Sequence, residues 1–187
     1  MADLTKIGGV AYGRIDTVTD AKNTVDWNHH QIHEGDSFHI SVRDSDLDTD
    51  AELKVAFKTP NTTIWGHCRV KGSNTVNGEF KFLEAATVTA DTGSQISITN
   101  RNRNSATTSG MLDMGASATA NKATLGATVT DDGTVIYQEL LGAYNAKAET
   151  GEFVLKKNTV YVARIIGNAD NGRASLHMDW DEHADVG

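Results

Sequence analysis

The sequence has almost no cysteine or proline. Cys68 is the only cysteine in 187 residues, and Pro60 is the only proline. A single cysteine excludes an intrachain disulfide. We expect Cys68 to be a buried, unreactive thiol because it lies in an apolar-alternating run, 64–70. The first residues also lack the basic start and apolar stretch of a secretion signal, so we expect synthesis in a reducing cytoplasm.

Long apolar runs and excess positive charge are also missing. No run approaches the roughly 20 apolar residues that span a bilayer, so we expect no membrane partner. The net charge is −8, from 17 basic and 25 acidic residues. That balance argues against nucleic acid as a partner, because such binding depends on neutralising phosphates. The densest basic run, 100–104, contains Arg101 and Arg103 and predicts a solvated turn or a partner for carboxylates.

Short runs in which apolar and polar residues alternate are abundant from about residue 33 onward, as in Phe38, Ile40 and Val42. Alternation gives each strand one core face and one solvated face. Turn-forming pairs separate the runs, namely Pro60-Asn61, Asn77-Gly78, Asp132-Gly133 and Asn171-Gly172. The pattern predicts an all-β fold, an antiparallel β-sandwich or jelly roll of about nine short strands.

The pair Asp132-Gly133 is the strongest hairpin signal. It separates two alternating runs, 127–130 and 134–137. Both central residues of a type I′ turn need positive φ, and Asp-Gly accommodates it. We therefore predict a hairpin here.

Two stretches differ from the strand pattern. Residues 1–32 are poor in apolar residues and show no clear periodicity, which predicts an extended N-terminal arm ahead of a sandwich domain at 33–187. The arm either orders against a partner or is a functionless tail. Residues 104–124 consist mostly of small side chains, which suits either a long surface loop or a place where chains approach closely.

Two motifs resemble metal sites. His29 and His33 would share a face of a helix, which suits two zinc ligands, but Gly35 follows closely and no third ligand is evident. We expect a lead-in to the first strand. The run 44–50 has four alternating aspartates, a composition that permits calcium, yet it lacks the glycine and glutamate of an EF-hand. A solvated acidic turn, or a surface facing a basic partner, is expected. We predict no metal and no cofactor.

Residues near the C-terminus raise the possibility of catalysis. His177 and Asp179 share one face of a predicted strand, with Trp180 on the apolar face. A His–Asp pair can orient a general base, but no nucleophile motif completes a triad. We expect a solvated strand face and no catalytic residues. Trp180 is expected in the core, whereas Trp27 suits an anchor on a partner.

Several runs, in order along the chain, resemble small virion proteins of tailed bacteriophages, of the head decoration (cement) or head-fibre type. They are HEGDSFHIS at 33–41, FLEA at 82–85, NRNS at 102–105, DGTVI at 132–136, EFVLK at 152–156, YVAR at 161–164 and SLHMDWDEH at 175–183. The resemblance implies a jelly-roll-like fold, often a homotrimer, displayed on the outer capsid surface of the virion. It implies no catalytic residues.

The leading functional hypothesis is therefore a capsid decoration protein. Its partners would be the lattice of the major capsid protein and further copies of itself. From the composition of the arm we select Arg14, Trp27, His29 and His30 as lattice contacts. The alternative is a tail-fibre or receptor-binding module that recognises host glycans. A small hydrolase is a third reading.

Overall fold

The alternating runs form strands, and a computed structural model shows how these strands assemble. It describes residues 5–7, 11–15, 22–24, 27–143 and 146–184, with side chains from residue 29 onward. Within these ranges the chain forms one helix, α1 (Trp27–Glu34), and 17 strands. No helix in the described ranges is both long enough and apolar enough to span a membrane.

The strands divide into three groups along the chain. Those before the helix are β1 (Thr5–Ile7), β2 (Ala11–Ile15) and β3 (Lys22–Thr24). Those between the helix and residue 101 are β4 (Ser37–Leu47), β5 (Glu52–Lys58), β6 (Ile64–Asn74), β7 (Gly78–Glu84), β8 (Thr87–Val88), β9 (Ser94–Ser97) and β10 (Thr99–Asn100). The remainder are β11 (Lys122–Leu125), β12 (Val129–Asp131), β13 (Thr134–Leu141), β14 (Ala146–Glu149), β15 (Phe153–Leu155), β16 (Val160–Gly167) and β17 (Gly172–Ala184).

Two antiparallel sheets enclose the core, which confirms the predicted all-β sandwich. The first sheet has the order β10-β4-β17-β6-β14, with β15 also paired to β6. The second sheet has the order β13-β7-β16-β5-β11-β9. Buried apolar side chains from both sheets form one cluster between them. Removing such side chains from water is the main favourable term in folding.

Eight strands of the sandwich pair in a nested way. In chain order they are β4, β5, β6, β7, β13, β14, β16 and β17. The first pairs with the eighth, the second with the seventh, the third with the sixth and the fourth with the fifth. The two halves of the chain therefore lie against each other like the arms of one long hairpin. The pairing therefore joins residues that are far apart in the sequence.

Aromatic rings join the two sheets across the core. Phe57 and Tyr161 of the second sheet stack with centroids 5.8 Å apart, and Phe57 also stacks on Trp180 of the first sheet at 6.4 Å. Trp180 is 4% exposed, so its predicted place in the core is confirmed. Cys68 is fully buried, and burial raises the pKa of its thiol. The burial confirms the prediction of a buried thiol, and its lack of reactivity stays a prediction.

A second, smaller core lies on the other side of the second sheet. Its buried members are Ala56, Leu83, Ala86, Ala127 and Val162. Val88 of β8 and Val129 of β12 pack against it. The short β8–β12 pair thus covers part of the outer face of the second sheet. In this region the strands of the second sheet carry buried apolar residues on both of their faces.

The predicted hairpin at Asp132-Gly133 is wrong. Strand β12 pairs with β8, whereas β13 pairs with β7 in the second sheet. Of the two turn residues only Gly133 has positive φ, +62°. A Cβ at Gly133 would lie 2.5 Å from the carbonyl oxygens of Glu84 and Ala85. Glycine is needed here because the backbone passes close to residues 84–85 on its way from β12 to β13.

Of residues 104–124, the last three lie in strand β11, and 104–121 form a long loop that is anchored to the sandwich by two buried carboxylates. Glu182 accepts hydrogen bonds from the Ser109 hydroxyl, from the Gly110 amide at 2.8 Å and from Trp180 Nε1 at 2.8 Å. Asp113 accepts bonds from Gln95 and from two loop amides. Burial acts to raise the pKa of Asp113, but these bonds lower it overall. The small side chains therefore belong to a surface loop with fixed ends.

The N-terminal segment has more regular structure than predicted. Strands β1, β2 and β3 form a three-stranded antiparallel sheet. The lead-in to the first sandwich strand is the helix α1 rather than extended chain. The helix also crosses the predicted boundary between residues 32 and 33. Nothing in the fold tests the division into arm and domain, which stays a prediction.

We predict that three glycine-to-alanine variants separate backbone strain from steric clash. Gly151→Ala has open space and no positive φ, Gly126→Ala has open space with φ +72°, and Gly133→Ala has both positive φ and the clash. A left-handed non-glycine residue costs about 1–2 kcal/mol, and overpacking costs about 1–3 kcal/mol more. The loss in free energy of unfolding, measured in urea, should be negligible for Gly151→Ala, intermediate for Gly126→Ala and largest for Gly133→Ala. Equal losses for Gly126→Ala and Gly133→Ala would contradict the close crossing.

Candidate functional site: the outer face of the first sheet

The solvent-facing side of the first sheet is densely polar, and we call it the histidine face. Its residues on the three central strands are His39 and Ser41 of β4, His177, Asp179 and Asp181 of β17, and His67, Arg69 and Lys71 of β6. Directly opposite residues share a face in an antiparallel pair. The register places His39 beside Asp179, and Asp179 beside Arg69. Three strands thus bring together charges that are far apart in sequence.

The alternation of β17 creates this face. Leu176 and Met178 are each 1% exposed and point into the core. His177 and Asp179 therefore point outward, as the sequence predicted. They do not form a catalytic dyad, however, because each of them bonds a residue of β4 and the two do not bond each other.

Asp179 and His177 make separate hydrogen bonds. His39 Nδ1 lies 2.9 Å from Asp179 Oδ1, and Ser41 Oγ lies 3.0 Å from His177 Nδ1. The hydrogen bond from His39 lowers the pKa of Asp179, against the opposing effect of burial. A Ser–His–Asp relay requires one imidazole between hydroxyl and carboxylate. Here two different imidazoles, stacked with centroids 6.1 Å apart, serve the two groups.

A second set of ion pairs lies towards β15. Glu152 accepts from His67 Nδ1 at 3.0 Å and from Arg69 Nη2 at 2.7 Å. The bond from His67, assisted by Arg69, lowers the pKa of Glu152 even though burial opposes it. The ring of His183 lies 4.8 Å from that of His67. The side chains of His67, Arg69 and Glu152 are therefore positioned by their contacts with one another.

A small depression separates the two sets. It has a volume of about 40 Å³, which is room for a water or two rather than for a metabolite. Its lining includes Arg69, Arg101 and Asp181. Burial raises the pKa of Asp181, while Ser37 and Arg101 act in the opposite direction. The face is thus shallow and suits contact with another surface.

The run 100–104 borders the histidine face and holds α1 in place. Asn100 Nδ2 donates to the carbonyl oxygen of Gly35 at 2.6 Å, and Asn102 Nδ2 donates to that of His33 at 3.0 Å. Arg101 Nη1 lies 3.3 Å from Ser37 Oγ. Our prediction included Arg101 as a partner for carboxylates but missed the asparagines. Their tendency to bond nearby backbone groups in turns was the available signal.

The predicted partner-binding residues lie before or within α1. The backbone of Arg14 is in β2 and that of Trp27 begins α1, but their side chains lie outside the described residues. His29 is exposed and contacts His33. His30 is half-buried and lies 3.6 Å from Glu34 Oε1. Their role in binding stays a prediction.

The acidic run 44–50 does not form one turn. Asp44 and Asp46 lie within β4, and the turn begins at Asp48. Asp44 Oδ1 accepts from the Asp46 amide, and Asp48 Oδ1 accepts from the Asn171 amide. In the part of the chain that the structure describes, no three His, Cys, Asp or Glu side chains converge on one point.

Comparison of the chain with protein-family models, with curated proteins and with solved structures gave no match in any of the three. Function is therefore inferred from the fold, from the histidine face and from the ordered runs of the sequence.

We predict that His177 makes stability depend on pH. Burial, with His39 nearby, lowers the pKa of folded His177 below its ordinary value of 6.5. The folded chain therefore takes up a proton less readily than the unfolded chain, and stability is lost as the pH falls. His177→Gln should lose less free energy of unfolding than the unmodified chain between about pH 7.5 and about pH 5, measured by urea titration.

Ser41→Ala is the matched control, because it removes the hydroxyl partner and keeps the imidazole. It should retain the pH dependence. An identical loss in His177→Gln and the unmodified chain would contradict a role for this histidine.

Proposed function

We propose that the chain is a non-enzymatic virion structural protein that binds the outer surface of an assembled bacteriophage head and stabilises it. Two independent lines support this proposal. One is the ordered series of runs that resembles phage decoration and head-fibre proteins. The other is the architecture of the sandwich and its polar outer face.

The nested strand pairing is the observation that carries the proposal. A jelly roll is a double sheet of eight strands that contains two Greek keys, and it is common in virus capsid proteins. In this chain eight strands form the nested pairs β4–β17, β5–β16, β6–β14 and β7–β13 in two sheets. This order supports the jelly-roll fold that the sequence resemblance implies.

The histidine face supports binding rather than turnover. Its groups are engaged in pairs such as His39–Asp179 and Arg69–Glu152, and the depression between them is about 40 Å³. Paired side chains lose little freedom when a partner surface docks on them. Side chains that are already fixed in pairs therefore favour specific binding of a partner surface.

In the proposed mechanism the subunits assemble into a homo-oligomer, because closed cyclic contacts are the usual solution for identical chains. The resemblance to phage decoration proteins implies that this oligomer is a trimer. The oligomer then docks on the mature capsid lattice. Binding to the assembled shell stabilises it by mass action, and several linked contacts multiply modest affinities. The segment before α1 with Arg14, and helix α1 with Trp27, His29 and His30, would add contacts to the lattice.

The decisive test is co-sedimentation with purified heads that lack this chain, from the phage that encodes it. We expect saturable, stoichiometric binding. A variant that lacks residues 1–26 and keeps α1 should bind at least about tenfold more weakly, because linked contacts multiply affinities, while its urea unfolding curve stays that of the sandwich. Unchanged affinity in the truncated variant would remove residues 1–26, with Arg14, from the mechanism.

A receptor-binding module for host glycans is the second candidate, and Trp65 is the observation in its favour. This ring is 37% exposed, and aromatic rings are common platforms for sugars. However, the Lys157 ammonium lies 5.7 Å above its centroid and occupies one side of the ring. Binding to host cells together with no binding to heads would overturn the decoration proposal in favour of this alternative.

A further inference from the structure

Two exposed histidines on α1 bring their ring nitrogens together. His29 and His33 are four residues apart in the helix, and their Nε2 atoms are 2.9 Å apart. The ring centroids are 4.6 Å apart. We propose that this pair is a bidentate site for a divalent transition metal ion that favours square-planar or octahedral geometry, such as Ni²⁺ or Cu²⁺.

The distance between the two nitrogens selects the geometry. Metal–imidazole bonds are about 2.0–2.1 Å long, so two nitrogens 2.9 Å apart subtend an angle of about 90° at a shared ion. Cis ligands in square-planar and octahedral complexes have this angle, whereas tetrahedral ligands lie farther apart. Cu²⁺ and Ni²⁺ favour tetragonal sites, and Zn²⁺ favours tetrahedral ones. The pair therefore fits Ni²⁺ or Cu²⁺ better than Zn²⁺.

The end of α1 is fixed, so the two imidazoles are held near each other before an ion binds. The amide of Gly35 donates to the Ile32 carbonyl, and the amide of Asp36 donates to the Gln31 carbonyl, as in a Schellman motif. Gly35 has φ +86°. Asn102 bonds the carbonyl oxygen of His33 itself. A fixed helix end lowers the entropy that the two side chains lose on binding.

The proton balance of binding is simple. In the hydrogen-bonded pair one imidazole carries its proton on Nε2 and the other accepts it. Two neutral imidazoles can both bind an ion through Nε2 once the donor ring keeps its proton on Nδ1 instead. No third His, Cys, Asp or Glu converges on the pair among the described residues, so water completes the coordination. Binding should weaken in acid, because protonated imidazole does not bind metal.

A histidine pair on β4 and β17 differs and supplies the control. His39 and His177 each use Nδ1 to contact Asp179 or Ser41, and their rings are 6.1 Å apart. They do not share a hydrogen bond between ring nitrogens. The control variant is therefore His177→Gln.

The test is calorimetric titration of the full chain with NiCl₂ at neutral pH. We expect one ion per chain, and a loss of affinity of at least about tenfold in His29→Ala and in His33→Ala, because each leaves a single imidazole. His177→Gln should bind like the unmodified chain. Circular dichroism should show the same fold in all four proteins, because His29 and His33 are exposed.

Parallel titrations with CuCl₂ and ZnCl₂ test the geometric argument. Cu²⁺ should bind more tightly than Ni²⁺, as at any nitrogen site. The 90° angle adds the expectation that Zn²⁺ binds more weakly than Ni²⁺, and Zn²⁺ binding as tight as that of Ni²⁺ would contradict the geometric argument. Binding of Ni²⁺ that persists unchanged in both alanine variants would overturn the proposal. So would the absence of any saturable binding by the unmodified chain.

Discussion

Strand β17 is the element on which the rest of the structure depends. It lies between β4 and β6 at the centre of the first sheet, and its alternation decides both sides of that sheet. Leu176, Met178 and Trp180 enter the core, while His177 and Asp179 form the outer face. A shift of one residue in its register would place the charged groups in the core. Because buried unpaired charges are costly, the register is strongly determined.

The end of the same strand also fixes the long loop. Trp180 donates to Glu182, and Glu182 in turn accepts bonds from Ser109 and Gly110 of the loop. A buried carboxylate is tolerable only when hydrogen bonds replace the water that it loses. Loop, carboxylate and tryptophan therefore stabilise one another. This dependence explains how a segment of mostly small side chains keeps a defined path over the sandwich.

Local patterns predicted the strands but not their partners. The alternation around Phe38 and around Leu176 depends only on neighbouring residues, so the sequence showed it. Asp132-Gly133 correctly indicated positive φ at Gly133, yet the sheet that the next strand joins depends on β7, about 50 residues earlier. Helix α1 was missed because eight residues are too few for intrinsic propensity to dominate. Gly35 was the available signal of its end, and contacts such as that of Asn102 hold it.

The histidine face was only half visible from the sequence for a related reason. The shared face of His177 and Asp179 follows from the two-residue period of a strand, but their partners His39 and Ser41 lie about 140 residues earlier. Those partners decide the chemistry. With His39 as its partner, Asp179 does not orient His177, and Ser41 has no relay to a carboxylate. The same side chains that suggested catalysis in the sequence become, through pairing with β4, part of a face of hydrogen-bonded polar groups.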